Sequence, residues 1–170
     1  MSSLGDLFQR DGLPLQRWTA TLPELEALLA KAKAQPDTRV LALDGAALLD
    51  APALLRALAS GLHFPDYFGS NWNALDECLH DLEWLPESTL LLTVRNAQRL
   101  LEADPEGLAT FLAILASAAK VLEEPQMGEV CLRRMPIQLR VLLHTNGDAT
   151  KAKLVQRLAQ AGVELPAFRG

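Results

Sequence analysis

Between Ala57 and Val94 the chain carries six acids, Asp66, Asp76, Glu77, Asp81, Glu83 and Glu87, and neither Lys nor Arg. Like charges at this density repel one another, and no basic residue inside the segment offers relief at i, i+4. Two uses of such a segment stay open. It is the solvated face of an acidic protein, or it is a surface matched to a cationic partner, where carboxylates steer encounter and then accept charge-assisted hydrogen bonds from Arg, Lys or His. Within it His80 lies four residues after Asp76, three after Glu77 and three before Glu83, so one helix could present an imidazole with carboxylates for a metal ion or for acid–base work. The set is short of a full ligand group, because neither His63 nor His144 is near in sequence. Those two histidines read as structural, and no metal or cofactor is expected.

Other chemistry is thinly represented. GxxxxGK[ST], GxGxxG and GxSxG are all missing from the sequence, which removes the common strand-to-helix enzyme signatures, and the chain is not expected to be an enzyme. Cys78 and Cys131 lack CxxC spacing and read as two free thiols in a reducing compartment. From Cys131 to Arg157 the asymmetry reverses, with Arg133, Arg134, Arg140, Lys151, Lys153 and Arg157 against Asp148 alone. Aromatic interleaving and a nucleic-acid motif are lacking there, so balance of the acidic half is the simpler reading and no direct nucleic-acid contact is expected.

The elements that must carry the acidic segment follow from hydrophobic periodicity. PELEALLAKAKA from Pro23 puts Leu25, Leu28, Leu29 and Ala32 on one helical face behind a Thr21 cap. Arg39–Leu43 reads as a short buried strand ended by Asp44-Gly45, and Ala51–Ser60 returns to helical spacing through Leu54, Leu55 and Leu58. After Gly61 an aromatic, Pro- and Gly-containing loop leads into a helix that Ser70 could cap, with Trp72, Leu75, Leu79 and Leu82 as its apolar stripe. Trp72 and Trp84 read as core. Leu90–Val94 is a second strand, Asp104-Pro105-Glu106 opens an apolar helix over Leu108–Leu122, and Leu139–His144 is a third strand after a looser insertion over Glu123–Gln138 containing Pro125, Gly128 and Pro136. Asp148 can cap a last helix through Ala161, stopped by Gly162. Apolar strands separated by helices imply an α/β fold with a mostly parallel sheet.

The whole is bounded by composition. At 170 residues, 49% hydrophobic and 22% charged, the chain has enough material for one core without disulfides or a structural metal. A net charge of -5 argues against wholesale attraction to nucleic acid or to an anionic membrane. The first twelve residues include Asp6 and Asp11 and no long apolar run, and the stretch Leu108–Ala119 is too short to span a bilayer, so a cytoplasmic protein with no membrane partner is expected.

The segment Phe64-Pro-Asp-Tyr-Phe-Gly-Ser-Asn-Trp-Asn-Ala-Leu-Asp-Glu-Cys-Leu-His-Asp-Leu resembles the signature of the barstar family, intracellular inhibitors of barnase-type ribonucleases. The likeness rests on the Pro-acid-aromatic-aromatic-Gly loop, the helix opening at Asn71, the Ala74-Leu75 pair and the triplet Glu77, Cys78, Leu79, and it extends over about residues 39–145. It implies a small parallel three-stranded sheet packed with helices, flanked here by a 1–38 extension and by a 146–170 helix and tail. The apolar stripes of those flanks, Leu22, Leu25, Leu28 and Leu29, and Leu154, Val155 and Leu158, are expected to pack on the core. The resemblance further implies a partner-binding surface of Tyr67, Phe68, Gly69, Asn71, Asn73, Asp76, Glu77 and His80. In it Tyr67 matches a contact aromatic, Gly69 the loop glycine, Asn71 the residue that opens the helix and Glu77 the dominant acid. Phe68 stands where the type member has Tyr and Asn73 where it has an acid, while the helix around Ala116–Ala118 offers no second acid. The implied partner is a basic extracellular-type ribonuclease or related toxin, blocked by an acidic loop and helix; the alternative is a module of the same fold that recognises a different basic protein.

Overall fold

The two sequence runs without polar alternation, at Leu90–Val94 and Leu139–Leu143, need cover on both faces and form the two inner strands of a parallel sheet. The structure, a computed structural model, describes residues 4–9, 12–127 and 132–169. In chain order these form α1 (Leu4–Leu7), β1 (Leu15–Thr19), α2 (Leu22–Lys33), β2 (Thr38–Asp44), α3 (Ala51–Gly61), α4 (Trp72–Asp81), β3 (Thr89–Arg95), α5 (Pro105–Leu122), the short hairpin strands β4 (Gln126–Met127) and β5 (Leu132–Arg134), β6 (Gln138–Thr145) and α6 (Asp148–Gln160). Asp11, Gly128 and Cys131, used in the sequence reading, lie outside the described residues.

The main sheet has four strands, not three, in the order β1-β6-β3-β2, all parallel. The added strand is β1, whose Leu-Gln-Arg-Trp-Thr carries too much polarity to read as a buried strand. Arg17 is satisfied from the far end of the chain: its Nε donates to Leu165 O at 3.2 Å, its N–H to Pro166 O at 2.9 Å, and Phe168 N–H donates to Arg17 O at 2.7 Å. The C-terminal tail thus closes the β1 edge, with Arg17 and Ala167 in a parallel bridge.

Strand alternation divides the core. Leu90, Leu92 and Val94 of β3 with Leu139, Val141 and Leu143 of β6 face α3, α4, α5 and α6, whereas Leu91 and Leu142 face α1, α2, Trp18 and Phe168. Leu25, Leu28 and Ala32 of α2 and Leu154 and Leu158 of α6 are buried, but Leu22 and Val155, placed in the same stripes from spacing, are exposed. Helix starts follow side-chain chemistry. Thr21 and Glu24 complete a reciprocal capping box, and Asp50 and Asp104 accept from Ala53 N–H and Gly107 N–H. Asp148 is not a cap; it lies in the first turn of α6 behind Gly147, whose φ is 106°. By length and composition α5 could cross a membrane, yet nine of its residues, Phe111 and Leu115 among them, are buried in the core.

The α2 side of the sheet holds the polar interior. His144 is fully buried, its Nε2 2.8 Å from Ala20 O, and its Nδ1 meets no partner among the described residues. A carbonyl only accepts, so Nε2 carries a proton, and Nδ1, buried with no acceptor for a second proton, favours the neutral ring. Burial pushes its pKa below the ordinary value, opposed in part by the Ala20 carbonyl and by Glu24. Because the unfolded chain takes up the proton first, this group leaves stability untouched above about pH 6.5 and removes it as pH falls from there through the folded-state value. Melting temperatures of the native chain should therefore fall between pH 7 and 5 more steeply than those of His144→Phe; parallel slopes would refute the assignment.

Candidate protein-binding site

The acidic segment folds as a loop packed against the start of a helix. Two residues in left-handed backbone, His63 (φ 52°) and Ser70 (φ 51°), bracket the loop. Ser70 therefore cannot be the N-cap, which requires extended backbone. Asn71 takes that role with φ -137°, its Oδ1 accepting from Ala74 N–H at 2.8 Å while its Nδ2 donates to Gly69 O at 3.3 Å. Inside the loop the neighbouring aromatics separate. Phe68 turns inward and meets Phe64 edge-on at 4.9 Å, Phe64 meets Trp84 at 6.0 Å, and Trp84 Nε1 donates to Leu62 O at 2.9 Å. Tyr67 turns outward and is 76% exposed.

α4 is clamped beneath the loop by its apolar stripe. Leu75, Cys78 and Leu79 are buried, and Trp72 lies against Phe111 of α5 at 6.4 Å. Gly107 makes room for this contact, since a Cβ there would meet Trp72 Cζ2 at 3.0 Å and Asp104 Oδ2 at 2.3 Å. The helix ends at Leu82, in left-handed backbone (φ 46°) although it is not glycine. Its fully buried side chain, worth about 2 kcal/mol of transfer free energy, outweighs a backbone cost of about 1 kcal/mol.

On the solvent side α4 presents Asn73, Asp76 and Glu77. The Glu77 carboxylate makes no hydrogen bond or ion pair among the described residues, whereas Asp76 is engaged. His80 Nδ1 lies 2.7 Å from Asp76 O and 3.2 Å from Asp76 Oδ1, and its Nε2 lies 2.8 Å from Ser117 Oγ of α5. The spacing expectation of His80 among several carboxylates thus reduces to one, Asp76, and a serine 37 residues away. Asp76, His80 and Ser117 stand in the order of a nucleophilic triad, but Ser117 sits within α5, where the surrounding N–H groups are spent on the helix and leave no oxyanion donor. The chain of contacts instead holds α4 to α5. Among the described residues no three His, Cys, Asp or Glu side chains gather as metal ligands.

Charge binds loop and helix into one surface. The Tyr67 hydroxyl is pushed above its ordinary pKa by partial desolvation and then by the negative charge of Cys78, Asp81, Glu83 and Glu77, so the loop feels the field of the acids in and after α4. The Cys78 thiol is likewise raised, by burial first and then by Asp81 and Glu77, so it is a poor nucleophile. Three members of the basic stretch are engaged within the fold. Arg140 is fully buried, Arg157 donates to the carbonyls of Gln98, Leu100 and Leu101, and Lys153 pairs with Glu102 at 3.1 Å.

The sequence pattern of the family described as barstar, the barnase inhibitor, matches residues 38–143. The chain belongs to the barstar family. The matched span takes in the loop, α4 and three of the four strands, while β1, α2 and α6 lie outside it. No curated protein matches this barstar relative. Among solved structures it superposes on Cdc6p of Pyrobaculum aerophilum with a TM-score of 0.60 at 18% identity, covering 97% of this chain and 42% of that one. The ORC2 protein of Aeropyrum pernix, in its ADP form, gives 0.55 at 14% identity, covering 93% and 44%. This barstar-family chain spans less than half the length of those two proteins, and the likeness is one of fold alone.

Proposed function

We propose that the chain is a non-enzymatic inhibitor that occludes the active site of a basic, barnase-type ribonuclease with the 64–71 loop and the outer face of α4. The carrying observation is that Tyr67, 76% exposed on the loop, and Glu77, exposed on α4 with a carboxylate that has no internal partner among the described residues, belong to one segment with no Lys or Arg. A cationic enzyme groove that binds RNA phosphates finds there carboxylates, a phenol hydroxyl and the Asn73 amide in their place. Asn71 and Gly69 set the entry angle of the loop, Phe68 anchors it, and His80 fixes α4 against α5. Asn73, standing where the type member of the family has an acid, favours a second reading, in which the same surface meets a basic protein other than a ribonuclease.

A nucleotide role, suggested by the ADP form of the Aeropyrum protein, draws no support from this chain. β1 runs into Ala20-Thr21-Leu22-Pro23 with no glycine to cradle a phosphate, and at the start of α2 the Glu24 carboxylate already accepts from the Thr21 N–H while the Thr21 hydroxyl accepts from the Glu24 N–H.

The test is titration against a panel of small basic ribonucleases, following both heat of binding and RNA cleavage. The proposal expects a 1:1 complex with cleavage abolished for at least one of them. Tight binding to a basic protein without inhibition selects the second reading, and no binding to any ribonuclease overturns the first. Association should also be steered: the on-rate is expected to fall by about tenfold or more from low to physiological salt in stopped-flow measurements, and a flat rate would deny the acids a steering role.

A further inference from the structure

The two edges of the sheet are treated differently. The β1 edge is closed by the C-terminal tail, whereas β2 pairs only with β3. Thr89 N–H donates to Asp37 O, and the alternation of a parallel ladder then turns the backbone groups of Arg39, Leu41 and Leu43 toward β3 and those of Thr38, Val40, Ala42 and Asp44 outward. Among the described residues no hydrogen bond reaches the outward N–H or C=O of Val40 or Ala42. The usual protections of an edge are missing as well: Thr38–Asp44 contains no Lys and no Pro, its register with β3 runs unbroken, and Arg39 is drawn back onto Glu87 by bonds of 3.2 and 3.0 Å. Beside the strand, on the α2 face, lies a groove of 250 Å³ whose lining includes Leu22, Leu25, Leu29 and Ala42 as well as the charged Glu26, Asp44 and Arg95. Leu22, exposed against the expectation of its helical stripe, stands at its rim.

We propose that this edge pairs with the same edge of a second copy, antiparallel across a two-fold axis, so that two four-stranded sheets become one. A two-fold contact must be self-complementary, and this strand is. With Leu41 on the axis, the outward-bonding residues meet as Val40 opposite the partner's Ala42 and Thr38 opposite the partner's Asp44. The larger side chain faces the smaller one, and Val40 falls beside the groove next to the partner's Ala42. No charge opposes a like charge. The half-exposed Arg95, which reaches across Asp44 at 2.9 Å, comes to the end of the strand where the partner's exposed Asp37 lies. The outward N–H and C=O groups of Val40 and Ala42 are satisfied in the same step.

Sedimentation velocity on the full chain from micromolar to millimolar concentration tests this, together with amide exchange at Val40 and Ala42. The native chain should pass from monomer to dimer while those two amides become protected in step. Ala42→Lys, which places a charge in the seam, and Ala42→Pro, which removes an outward donor without touching the bonds to β3, should each raise the dimer dissociation constant by about tenfold or more with unchanged circular dichroism. If Ala42→Pro fails to fold, Ala42→Lys alone carries the comparison. A native chain that stays monomeric at millimolar concentration overturns the proposal, even if another protein or an extended peptide protects the same amides, and so does a dimer that survives both substitutions.

Discussion

Arg140→Ala is expected to cost about 2–5 kcal/mol of folding stability, a fall in melting temperature on the order of 10 °C for a chain of this size. The guanidinium is 0% exposed and donates to four acceptors: Leu7 O at 3.0 Å through Nε, Glu123 Oε1 at 3.0 Å and Leu139 O at 2.9 Å through Nη1, and Gln9 O at 2.9 Å through Nη2. Gln138 adds a bond to Phe8 O at 2.9 Å. Together they draw residues 4–9 across the α2 side of the sheet and bury Leu7 completely. Alanine strands buried carbonyls and opens a cavity, while Glu123, 44% exposed, simply turns to water. Lysine keeps the charge but cannot aim at acceptors in so many directions, so Arg140→Lys should also fail to restore stability. Urea denaturation of Arg140→Ala in the full chain and in one lacking residues 1–9 separates the contributions. The substitution should cost less in the shortened chain, and equal costs would show that the arginine does not hold the N-terminal segment.

That segment illustrates what was illegible in the sequence. α2, α3, α5 and the inner strands follow from local rules, because a capping box, an Asp-Pro start and a run such as Leu90–Val94 carry their reasons within a few residues. β1 does not. Arg17 is tolerable in a strand because carbonyls at 165 and 166 and the N–H of Phe168 arrive from the other end of the chain, while the Gln16 amide donates locally to Leu13 O. Arg140 counted as one more basic residue in a basic stretch, and nothing within its own strand reveals the carbonyls of Leu7 and Gln9.

The candidate site divides along the same line. Its acids and the stripe beneath it could be read from type and spacing, while the loop glycine's role and the family came from the resemblance of the 64–82 segment to the barstar signature. Which of two adjacent aromatics points out could not, since a loop has no period; Phe68 is drawn inward by Phe64, which leaves Tyr67 to solvent. Between Ser70 and Asn71 both side chains can cap, and the choice fell to backbone, left-handed at 70 and extended at 71. Ser117 had no local signal at all. It enters through His80, across the packing of α4 on α5, and it stands where the sequence reading looked for a second acid and found none.

Glu77→Ala is expected to weaken binding to the cognate ribonuclease by about 2–5 kcal/mol, or roughly thirtyfold to several thousandfold, a range drawn from interfacial charge pairs that include the barnase–barstar complex itself. The size follows from what the carboxylate lacks in the free protein. It is exposed on α4 and makes no hydrogen bond or ion pair among the described residues, so a basic partner gains the whole interaction and a truncated side chain leaves the partner's cation buried and alone. Folding should not suffer. Alanine is the better helix former, and removing one of several neighbouring acids relieves repulsion, so the melting temperature should hold or rise slightly. Asp76→Asn offers the contrast, because Asp76 already interacts with His80 at 3.2 Å and has less to give a partner. Calorimetry of both variants against the ribonuclease that the native chain inhibits decides the matter: loss should be large at 77 and small at 76, mainly as faster dissociation. Unchanged affinity in Glu77→Ala, with α4 intact by circular dichroism, would remove Glu77 from the centre of the interface and leave Tyr67 and Asp66 to carry it.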